Sequence, residues 1–223
     1  MIFILKRFMG KLIIVLSFVL FSFTSIAQTV ISDTNLIIAH GDITLYLTKD
    51  TCSLASKHII TYSEFQKIDK ERDNKWFQDV YKGRYTKDSY LKTGYDIGHL
   101  TPSHITSYDN ALNHNSFSLF NAAPQLAAFN RGKWAQMEGG IEDSIAKYKK
   151  DAIIITGVIY DGKKTTYVGK SKIPIPISFF KILYIDKKIF CWIGSNVNGL
   201  IMATTVKELN GVFKLNKMTL KIE

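Results

Sequence analysis

The sequence predicts an α+β fold in which helices pack on a mainly antiparallel sheet. Short apolar segments typical of strands fill residues 28–62, and one amphipathic helix pattern covers residues 130–150. Strand patterns that include a hairpin follow Asp151. No internal repeat or low-complexity segment divides the chain. We therefore expect a single domain over residues 28–223, a length sufficient for a full hydrophobic core.

Residues 1–27 have the pattern of a secretory signal peptide. Three positive charges lie within residues 6–11, an apolar run covers 12–21, and Ser25-Ile26-Ala27 places small residues where a signal peptidase cuts. A membrane anchor is the alternative, but the run is shorter than the roughly 18–20 apolar residues that span a bilayer. We expect cleavage before Gln28 and an exported protein, periplasmic or extracellular, without membrane attachment.

The chain is basic before and after this cleavage. The full sequence has 29 Lys and Arg against 19 Asp and Glu, a net charge of +10, and the signal segment accounts for +3 of it. A basic exported domain suggests a polyanionic partner such as nucleic acid, although charge also promotes solubility. Seven lysines within residues 163–188, Lys181 among them, are interpreted mostly as solvated loop charges that could attract a phosphate backbone.

Cysteine usage leaves two alternatives open. Cys52 and Cys191 are the only cysteines, and both follow the expected cleavage site. In an oxidising compartment they could form one disulfide, and otherwise they would be two separate buried thiols. No Cys/His cluster has the spacing of a structural zinc site.

The elements before residue 125 are mostly short strands. Apolar or alternating residues predict strands at 30–31, 36–38, 44–47, 54–62 and 95–100. Residues 64–73 favour a short helix or an ordered loop, and residues 113–120 a strand or loop. Residues 121–124 are expected to form a loop, because Pro124 holds the residue before it in an extended conformation.

A helix is expected from Asn130 to about Lys150. Its apolar residues recur at steps of three and four and form one stripe: Trp134, Met137, Ile141, Ile145 and Tyr148. Asn130 occupies the position of an N-cap, which asparagine favours. Gly139 and Gly140 each cost about 1 kcal/mol relative to alanine inside a helix, so we expect a close backbone contact there.

The C-terminal third returns to strands. Residues 152–155 predict a buried strand, 165–168 a weak strand, and 177–185 with 189–193 a hairpin. Residues 204–208 are typical of the start of a short helix.

Residues 94–138 hold the side chains that can do chemistry. They comprise Gly94-Tyr-Asp-Ile-Gly-His-Leu-Thr-Pro102, then Asn121-Ala-Ala-Pro-Gln125, then Asn130-Arg-Gly-Lys-Trp134 and finally Glu138. This stretch resembles the metal site of the DNA/RNA non-specific endonucleases, the ββα-metal (His-Me finger) nucleases, whose first motif is usually Asp-Arg-Gly-His. The resemblance runs from about Lys57 to the C-terminus. It implies a strand–loop–helix site that uses Mg²⁺, or Mn²⁺ as a substitute, to hydrolyse DNA and RNA with little sequence preference.

Three residues carry the expected chemistry. His99 suits a general base, because imidazole has an unperturbed pKa near 6.5, and the alternative is a histidine satisfied within a strand. The resemblance implies that Asn130 is the single direct metal ligand, a role compatible with an N-cap. Glu138 follows eight residues later, a little over two helical turns, and would hold a water of the metal's shell. An exposed helix carboxylate is the alternative for Glu138.

Three further residues of this stretch have expected roles. By resemblance, Asn121 lies beside the metal site and orients the histidine or a water, and a role confined to the turn competes with this interpretation. Asp96 is expected to be structural or to tune the local field. Trp134 is assigned to the core rather than to base stacking.

The sequence departs from the family pattern at Ile97, where the motif arginine is missing. That arginine lies near the phosphate in the family, and loss of such a charge costs a few kcal/mol in a dry site. Arg72, Arg84 and Arg131 are the cations that could compensate. Arg72 is preferred, because it precedes Phe77 and Asp79 in the order arginine, phenylalanine, aspartate that the family usually has. A solvated arginine is the alternative for Arg72 and Arg84.

Two other functions compete with a nuclease. A nuclease-like module that lost turnover through Ile97 would only bind polyanions, but the retention of His99, Asn130 and Glu138 argues against it. A metal-dependent phosphodiesterase for small substrates would need a closed pocket instead of a long basic groove.

Overall fold

The computed structural model describes residues 29–31, 36–48, 50–68, 73–78, 85–218 and 220–222. The strands in these ranges are β1 Thr29–Ile31, β2 Ile37–His40, β3 Ile43–Leu47, β4 Ser53–Ile60, β5 Tyr95–His99, β6 Ala122–Leu126, β7 Ala152–Ile159, β8 Thr166–Val168, β9 Ile173–Ile175, β10 Ser178–Ile185, β11 Lys188–Ser195, β12 Ile201–Thr204 and β13 Leu220–Ile222. The α-helices are α1 Tyr62–Phe65, α2 Asn110–Ser116, α3 Ala127–Phe129, α4 Ala135–Tyr148 and α5 Val206–Leu215. Three 3₁₀ turns, at Lys87–Tyr90, His104–Thr106 and Leu119–Asn121, and a π-helical turn at Asn130–Trp134 complete the elements.

A seven-stranded sheet forms the centre of the fold, in the order β12-β11-β10-β7-β4-β3-β2. Every neighbouring pair in it is antiparallel. Outside it, β5 pairs with β6, β1 with β13 and β8 with β9, each as a two-stranded ribbon. The predicted α+β class with a mainly antiparallel sheet is confirmed.

Both faces of the sheet are covered, and the central strand β7 shows this most clearly. All eight of its residues are buried, because one side packs against α5 and the other against α4. Ile155 lies in the cluster that contains Leu209 of α5, and its neighbour Ile154 lies in the cluster that contains Ile141 of α4. Alternate residues of one continuous apolar run thus enter opposite cores, as expected of a strand buried on both faces.

Several predicted elements match this architecture. The buried strand at 152–155 and the hairpin of 177–185 with 189–193 correspond to β7 and to β10 with β11. The short C-terminal helix exists as α5, which is longer than expected and begins with a capping box between Thr205 and Glu208. Of residues 64–73, the described ones contribute only the end of the short helix α1, and residues 69–72 lie outside the described ranges.

Two local predictions were wrong. Residues 113–116, expected as a strand or loop, belong to α2, where the Asp109 side chain caps the helix by accepting from the Leu112 amide at 2.7 Å. Residues 122–124, expected as a loop, begin strand β6. The extended conformation that proline imposes also suits a strand, and the missing N–H of Pro124 is tolerated in a two-stranded ribbon.

The two cysteines occur as separate buried thiols, the second of the two alternatives. Cys52 packs in a cluster with Tyr85 and Tyr90, whereas Cys191 lies in the core cluster under α5. Burial raises the pKa of Cys191 to about 11. Both cysteines therefore contribute to the core as packed side chains.

The N-terminal 28 residues, including the expected signal segment, lie outside the described ranges. Within those ranges, no helix is both long and apolar enough to cross a membrane.

Candidate active site

Strand β5 carries His99 at its C-terminal end and is fixed by its ribbon partner β6. His99 is opposite Ala122, and the next residue, Leu100, donates its amide to the Asn121 carbonyl at 2.8 Å. The glycine before the histidine is required by packing, because a Cβ on Gly98 would lie 2.6 Å from the Cβ of buried Gln125. The group that approaches this glycine closely is the Gln125 side chain.

The His99 ring lies between two aromatic rings. The ring centroid of Trp76 is 4.3 Å from that of His99, and the Phe117 ring meets it nearly edge-on at 4.9 Å. Such contacts restrict the imidazole to one orientation. Neither aromatic residue was predicted from the sequence to belong to the site.

Trp76 reaches His99 because its segment docks on α2. The ring of the next residue, Phe77, stacks on His114 at 4.6 Å, and the Asp73 carboxylate contacts His114 Nδ1 at 2.6 Å. The Asp73 amide also donates to the Asn113 side chain at 3.0 Å. The adjacent Trp-Phe pair in an otherwise charged region was the only sequence signal of this contact.

Asn121 is fully buried, and its amide is occupied by backbone groups. Nδ2 donates to the carbonyls of Thr101 at 2.8 Å and Ser116 at 2.7 Å, and Oδ1 accepts from the Thr101 amide at 3.0 Å. These bonds fix the chain just beyond His99. The geometry favours the competing, structural interpretation, and a direct catalytic role for Asn121 stays a prediction.

Asn130 lies inside a bent helix rather than at its start. The chain is already helical from Ala127, and Asn130 has helical dihedral angles and no capping hydrogen bond from its side chain. The expected N-cap is therefore wrong. Gly132, with φ −107° and ψ −112°, breaks the helical geometry between α3 and α4. Turns of this π type occur frequently at functional sites, where they redirect side chains.

Asp96 joins the histidine strand to this bent segment. Its Oδ2 accepts from Asn130 Nδ2 at 3.0 Å and from Arg131 Nε at 2.8 Å, and its Oδ1 accepts from Arg131 Nη2 at 2.6 Å. An ionised carboxylate only accepts hydrogen bonds, so the Asn130 amide must turn its nitrogen towards Asp96. The Asn130 oxygen is then the amide atom that Asp96 does not engage, and it is the atom that the resemblance implies as a metal ligand.

The same carboxylate anchors the Arg131 guanidinium, which is 74% exposed. Burial raises the pKa of Asp96, but the hydrogen bonds from Arg131 and Asn130 outweigh it and lower the pKa overall. Asp96 thus stays ionised and keeps both neighbours oriented. This agrees with the expectation that it is structural and tunes the local field.

Glu138 lies on α4 and forms an ion pair with a lysine of the sheet. Its Oε1 is 3.0 Å from Lys181 Nζ, and the lysine side chain is only 1% exposed. The prediction that Lys181 is a solvated loop charge is wrong, because β10 places it on the face that α4 covers. Trp134 is buried against Phe129 and Phe179, so its assignment to the core is confirmed.

Ile97 faces an apolar cluster, away from Asp96. It packs near Tyr90, Leu119 and Ile173, with the side chain of Trp76 at the edge of the same cluster. An arginine at this position would bring an unpaired charge into that cluster, which is unfavourable. Arg72 and Arg84, the other candidate cations, lie outside the described residues.

The donor set suits a hydrated hard cation. Within the described ranges, no group of three or more His, Cys, Asp or Glu side chains could enclose a metal ion. The oriented amide oxygen of Asn130 and the carboxylate of Glu138 supply few ligands, and Mg²⁺ is the kind of ion that keeps several of its own waters. The residues present therefore fit the ion that the sequence analysis expects.

A histidine at the end of a strand, followed along the chain by an asparagine on a bent helical turn and a glutamate on a helix, is the arrangement of the strand–helix (ββα-metal) nuclease class. The chain belongs to the DNA/RNA non-specific endonuclease family, whose profile matches residues 26–209. Human mitochondrial endonuclease G is 28% identical over 112 residues, which are 46% of this chain and 37% of the relative. The mitochondrial nuclease of Saccharomyces cerevisiae is 30% identical over 129 residues, 51% of this chain and 39% of the relative.

Nuclease C1 of Cunninghamella echinulata var. echinulata is 32% identical over 113 residues, 47% of this chain and 44% of the relative. The chain thus spans about two fifths of the length of these curated relatives. The crystal structure of the EndoG/EndoGI complex aligns with a TM-score of 0.68 at 18% identity, over 83% of this chain and 85% of that chain. This likeness establishes a shared fold.

Proposed function

We propose that this protein is an exported endonuclease that hydrolyses phosphodiester bonds of DNA and RNA with the help of one hydrated Mg²⁺ ion. The observation that carries the proposal is the Asp96 bridge, which ties Asn130 to β5, the strand that ends at His99. One carboxylate thereby fixes the proposed metal ligand against the strand that carries the proposed base. Family membership and the basic composition support the nucleic-acid substrate.

His99 acts as the general base in this mechanism. The Trp76 and Phe117 rings hold its imidazole in place, so that it can take a proton from the attacking water without rotating away. A positioned general base contributes roughly 10²–10⁴-fold to a hydrolysis rate. Asn121 supports this role indirectly by fixing the backbone that follows the histidine.

Asn130 would hold the metal ion through its amide oxygen, with Glu138 as an acceptor for one of the ion's waters. The bound ion would neutralise charge on the phosphorane and stabilise the 3′ leaving oxygen. Asp96 orients the amide, and Lys181 pairs with the carboxylate, so both groups are set before a substrate arrives.

Arg131 is the cation that we assign to the phosphate in place of the missing motif arginine. Its guanidinium is exposed and is held by two hydrogen bonds to Asp96, the residue directly before Ile97. An arginine fixed in this way still presents donors to a phosphate. Arg72 remains a second candidate, because the segment that directly follows it, residues 73–78, contacts His99 through Trp76.

Export through the N-terminal segment is part of the proposal. It is supported by the charged, apolar and small-residue regions of residues 1–27. A nuclease without strong sequence preference would endanger the genome of the cell that makes it, so secretion fits the proposed activity. Determination of the N-terminus of the protein recovered from the medium or periplasm tests cleavage before Gln28.

The proposed activity is tested with supercoiled plasmid and single-stranded RNA, each incubated with the purified protein in Mg²⁺ or in EDTA. We expect nicking of both substrates in Mg²⁺ only, and a loss of roughly 10²–10⁴-fold in His99→Ala. His104→Ala is the matched control, because His104 is half-exposed and pairs with Glu142 outside the motif.

Tight binding of both nucleic acids without cleavage in Mg²⁺, Mn²⁺ or Ca²⁺ would refute the enzyme and support a polyanion-binding module. Turnover confined to small phosphodiesters, with plasmid and RNA intact, would instead support a phosphodiesterase for small substrates.

A further inference from the structure

Lys181 lies in the middle of the seven-stranded sheet and is almost completely buried. It belongs to β10 and is paired across the sheet with Thr156 of β7 on one side and Trp192 of β11 on the other. Its side chain points to the face covered by α4 and is 1% exposed. Neither solvent nor a polymeric substrate reaches a cation in this position.

The lysine ammonium contacts three parts of the active-site motif. Nζ lies 3.0 Å from Glu138 Oε1, 3.5 Å from the Leu100 carbonyl oxygen and 5.2 Å from the centre of the Trp134 ring. Leu100 directly follows His99, and Trp134 ends the π-helical turn that begins at Asn130. One buried cation therefore connects the strand of the base with the helix of the metal ligands.

Stability does not by itself account for a lysine at this place. Removing an ammonium group from water is unfavourable, and a well-packed apolar side chain of similar volume is often as stabilising as a buried ion pair or more so. The flanking same-face residues of β10, Phe179 and Leu183, are fully buried and apolar. The interruption of this apolar row by one charge points to a role in the site.

The ion pair restricts the orientation of the Glu138 carboxylate. A glutamate on a helix surface otherwise samples several rotamers, and holding one costs conformational entropy each time it is needed. With Oε1 engaged by Lys181, the second carboxylate oxygen is confined as well. The Glu138 side chain remains 22% exposed, so the carboxylate still reaches the solvent side of the helix.

We propose that Lys181 is a positioning residue for phosphodiester hydrolysis. It fixes Glu138 as the acceptor for the hydrated metal ion and keeps the position of this carboxylate constant relative to the strand that carries His99. The proposal rests on the proposed function, because Glu138 has a metal-linked role only in that mechanism. Lys181 itself touches neither substrate nor ion.

Lys181→Met in the full chain tests the proposal, since methionine keeps the length and removes the charge. We expect kcat on plasmid to fall about 10–100-fold with KM unchanged, as for other residues that orient metal ligands. Binding of Mn²⁺ without nucleic acid, measured by electron paramagnetic resonance, should not weaken, because a positive charge has been removed near the cation site. Lys214→Met, at an exposed position on α5, is the matched control and should resemble the wild type.

The double variant Lys181→Met/Glu138→Gln separates positioning from packing. If Lys181 acts through Glu138, the double variant loses no more activity than Glu138→Gln alone. It should also melt at a higher temperature than Glu138→Gln, in which the buried lysine has lost its partner.

If the wild type cleaves plasmid, three results would overturn the inference. The first is a kcat of Lys181→Met equal to that of the wild type, and the second is a double variant whose loss of activity is the product of the two single losses. The third is a Lys181→Met protein that loses both Mn²⁺ binding and kcat. A wild type that shows no metal-dependent cleavage would instead refute the proposed function.

Discussion

Two ion pairs flank the active-site motif, and they differ in which partner meets water. In the pair Asp96–Arg131 the guanidinium is 74% exposed and the carboxylate 16%. In the pair Glu138–Lys181 the cation is 1% exposed and the carboxylate 22%. Both carboxylates are thus sheltered to a similar degree, and the contrast lies in the two cations.

This difference separates two uses of a positive charge. An exposed arginine that is already oriented can attract and contact a phosphate, but its ion pair, screened by water, contributes little to stability. A buried lysine can act only on protein groups, and removal of its partner leaves an uncompensated charge in the interior. Variants of the two pairs should therefore change different properties of the molecule.

The largest effect is expected from removal of the carboxylate that pairs with the buried lysine. Glu138→Gln should lower the free energy of unfolding by about 3–5 kcal/mol, because Lys181 is then buried without a counter-charge. Lys181→Met should change it much less. Urea denaturation of both variants and the wild type checks this, and a Glu138→Gln protein as stable as the wild type would mean that water reaches the lysine.

The buried cation should also be visible in the pH dependence of stability, through His58. Burial, and next the charge of Lys181, lower the pKa of His58 from 6.5 to about 3. A histidine whose folded pKa is depressed takes up its proton first in the unfolded chain, so its contribution is complete above pH 6.5 and is lost as the pH falls towards 3. The free energy of unfolding should fall by up to about 1.4 kcal/mol per pH unit in this window.

His58→Gln isolates this contribution from that of the carboxylates. Its unfolding free energy, measured by urea denaturation between pH 7 and pH 4, should depend less steeply on pH than that of the wild type. Equal slopes for the two proteins would show that His58 is not held neutral.

Removal of the exposed cation should affect substrate more than stability. Arg131→Met is expected to leave the free energy of unfolding nearly unchanged, because an exposed ion pair contributes little to stability. Loss of one phosphate contact should raise KM for plasmid and reduce the slope of log KM against log salt by about 1. The measurement is plasmid cleavage at several salt concentrations, with Lys133→Met on the same bent segment for comparison. An unchanged salt slope in Arg131→Met would remove this arginine from the substrate contacts.

The smallest effect is expected on the outer face of α4, away from both pairs. Among the described residues, no atom lies within 4 Å of a Cβ added at Gly140, so the close backbone contact expected there is not found. Gly140→Ala should raise the free energy of unfolding by about 0.5–1 kcal/mol, since alanine favours the helix. Thermal unfolding measures the gain, and a lower melting temperature would indicate strain at this position. A Cβ added at Gly139 likewise meets no atom of the described residues within 4 Å, so Gly139→Ala should give a similar gain.

The fold was predictable where periodicity is set by burial. The apolar run of β7, the hairpin β10–β11 and the apolar stripe of α4 each record which side faces the core. Helix α2 was missed because residues 113–120 change from polar to apolar along the chain, whereas its start is set by a cap at Asp109. Local hydrogen bonding decided this element, and the hydrophobic pattern did not record it.

The site was predictable as far as its residues are close in sequence. His99, Asn130 and Glu138 fall within one stretch, where imidazole chemistry suggests the base and the family resemblance implies the metal ligand; their roles stay predictions. Trp76 and Lys181 reach the same site from distant segments, so only the tertiary fold brings them there. The available signal of a buried charge was that Lys181 is the single lysine of the apolar strand Ser178–Ile185 and lies on the same strand face as Phe179 and Leu183.

The contact between Trp76 and His99 offers a practical way to follow the protonation of the histidine by fluorescence. An imidazolium ion in contact with an indole quenches its fluorescence, whereas a neutral imidazole does so far less. With 4.3 Å between the two ring centroids, the emission of Trp76 reports the charge on the histidine. The other tryptophans, Trp134 and Trp192, contact different partners, so the Trp76→Phe difference spectrum isolates the signal. The molecule thus carries an optical probe of the histidine that we propose as the general base, readable without substrate or label.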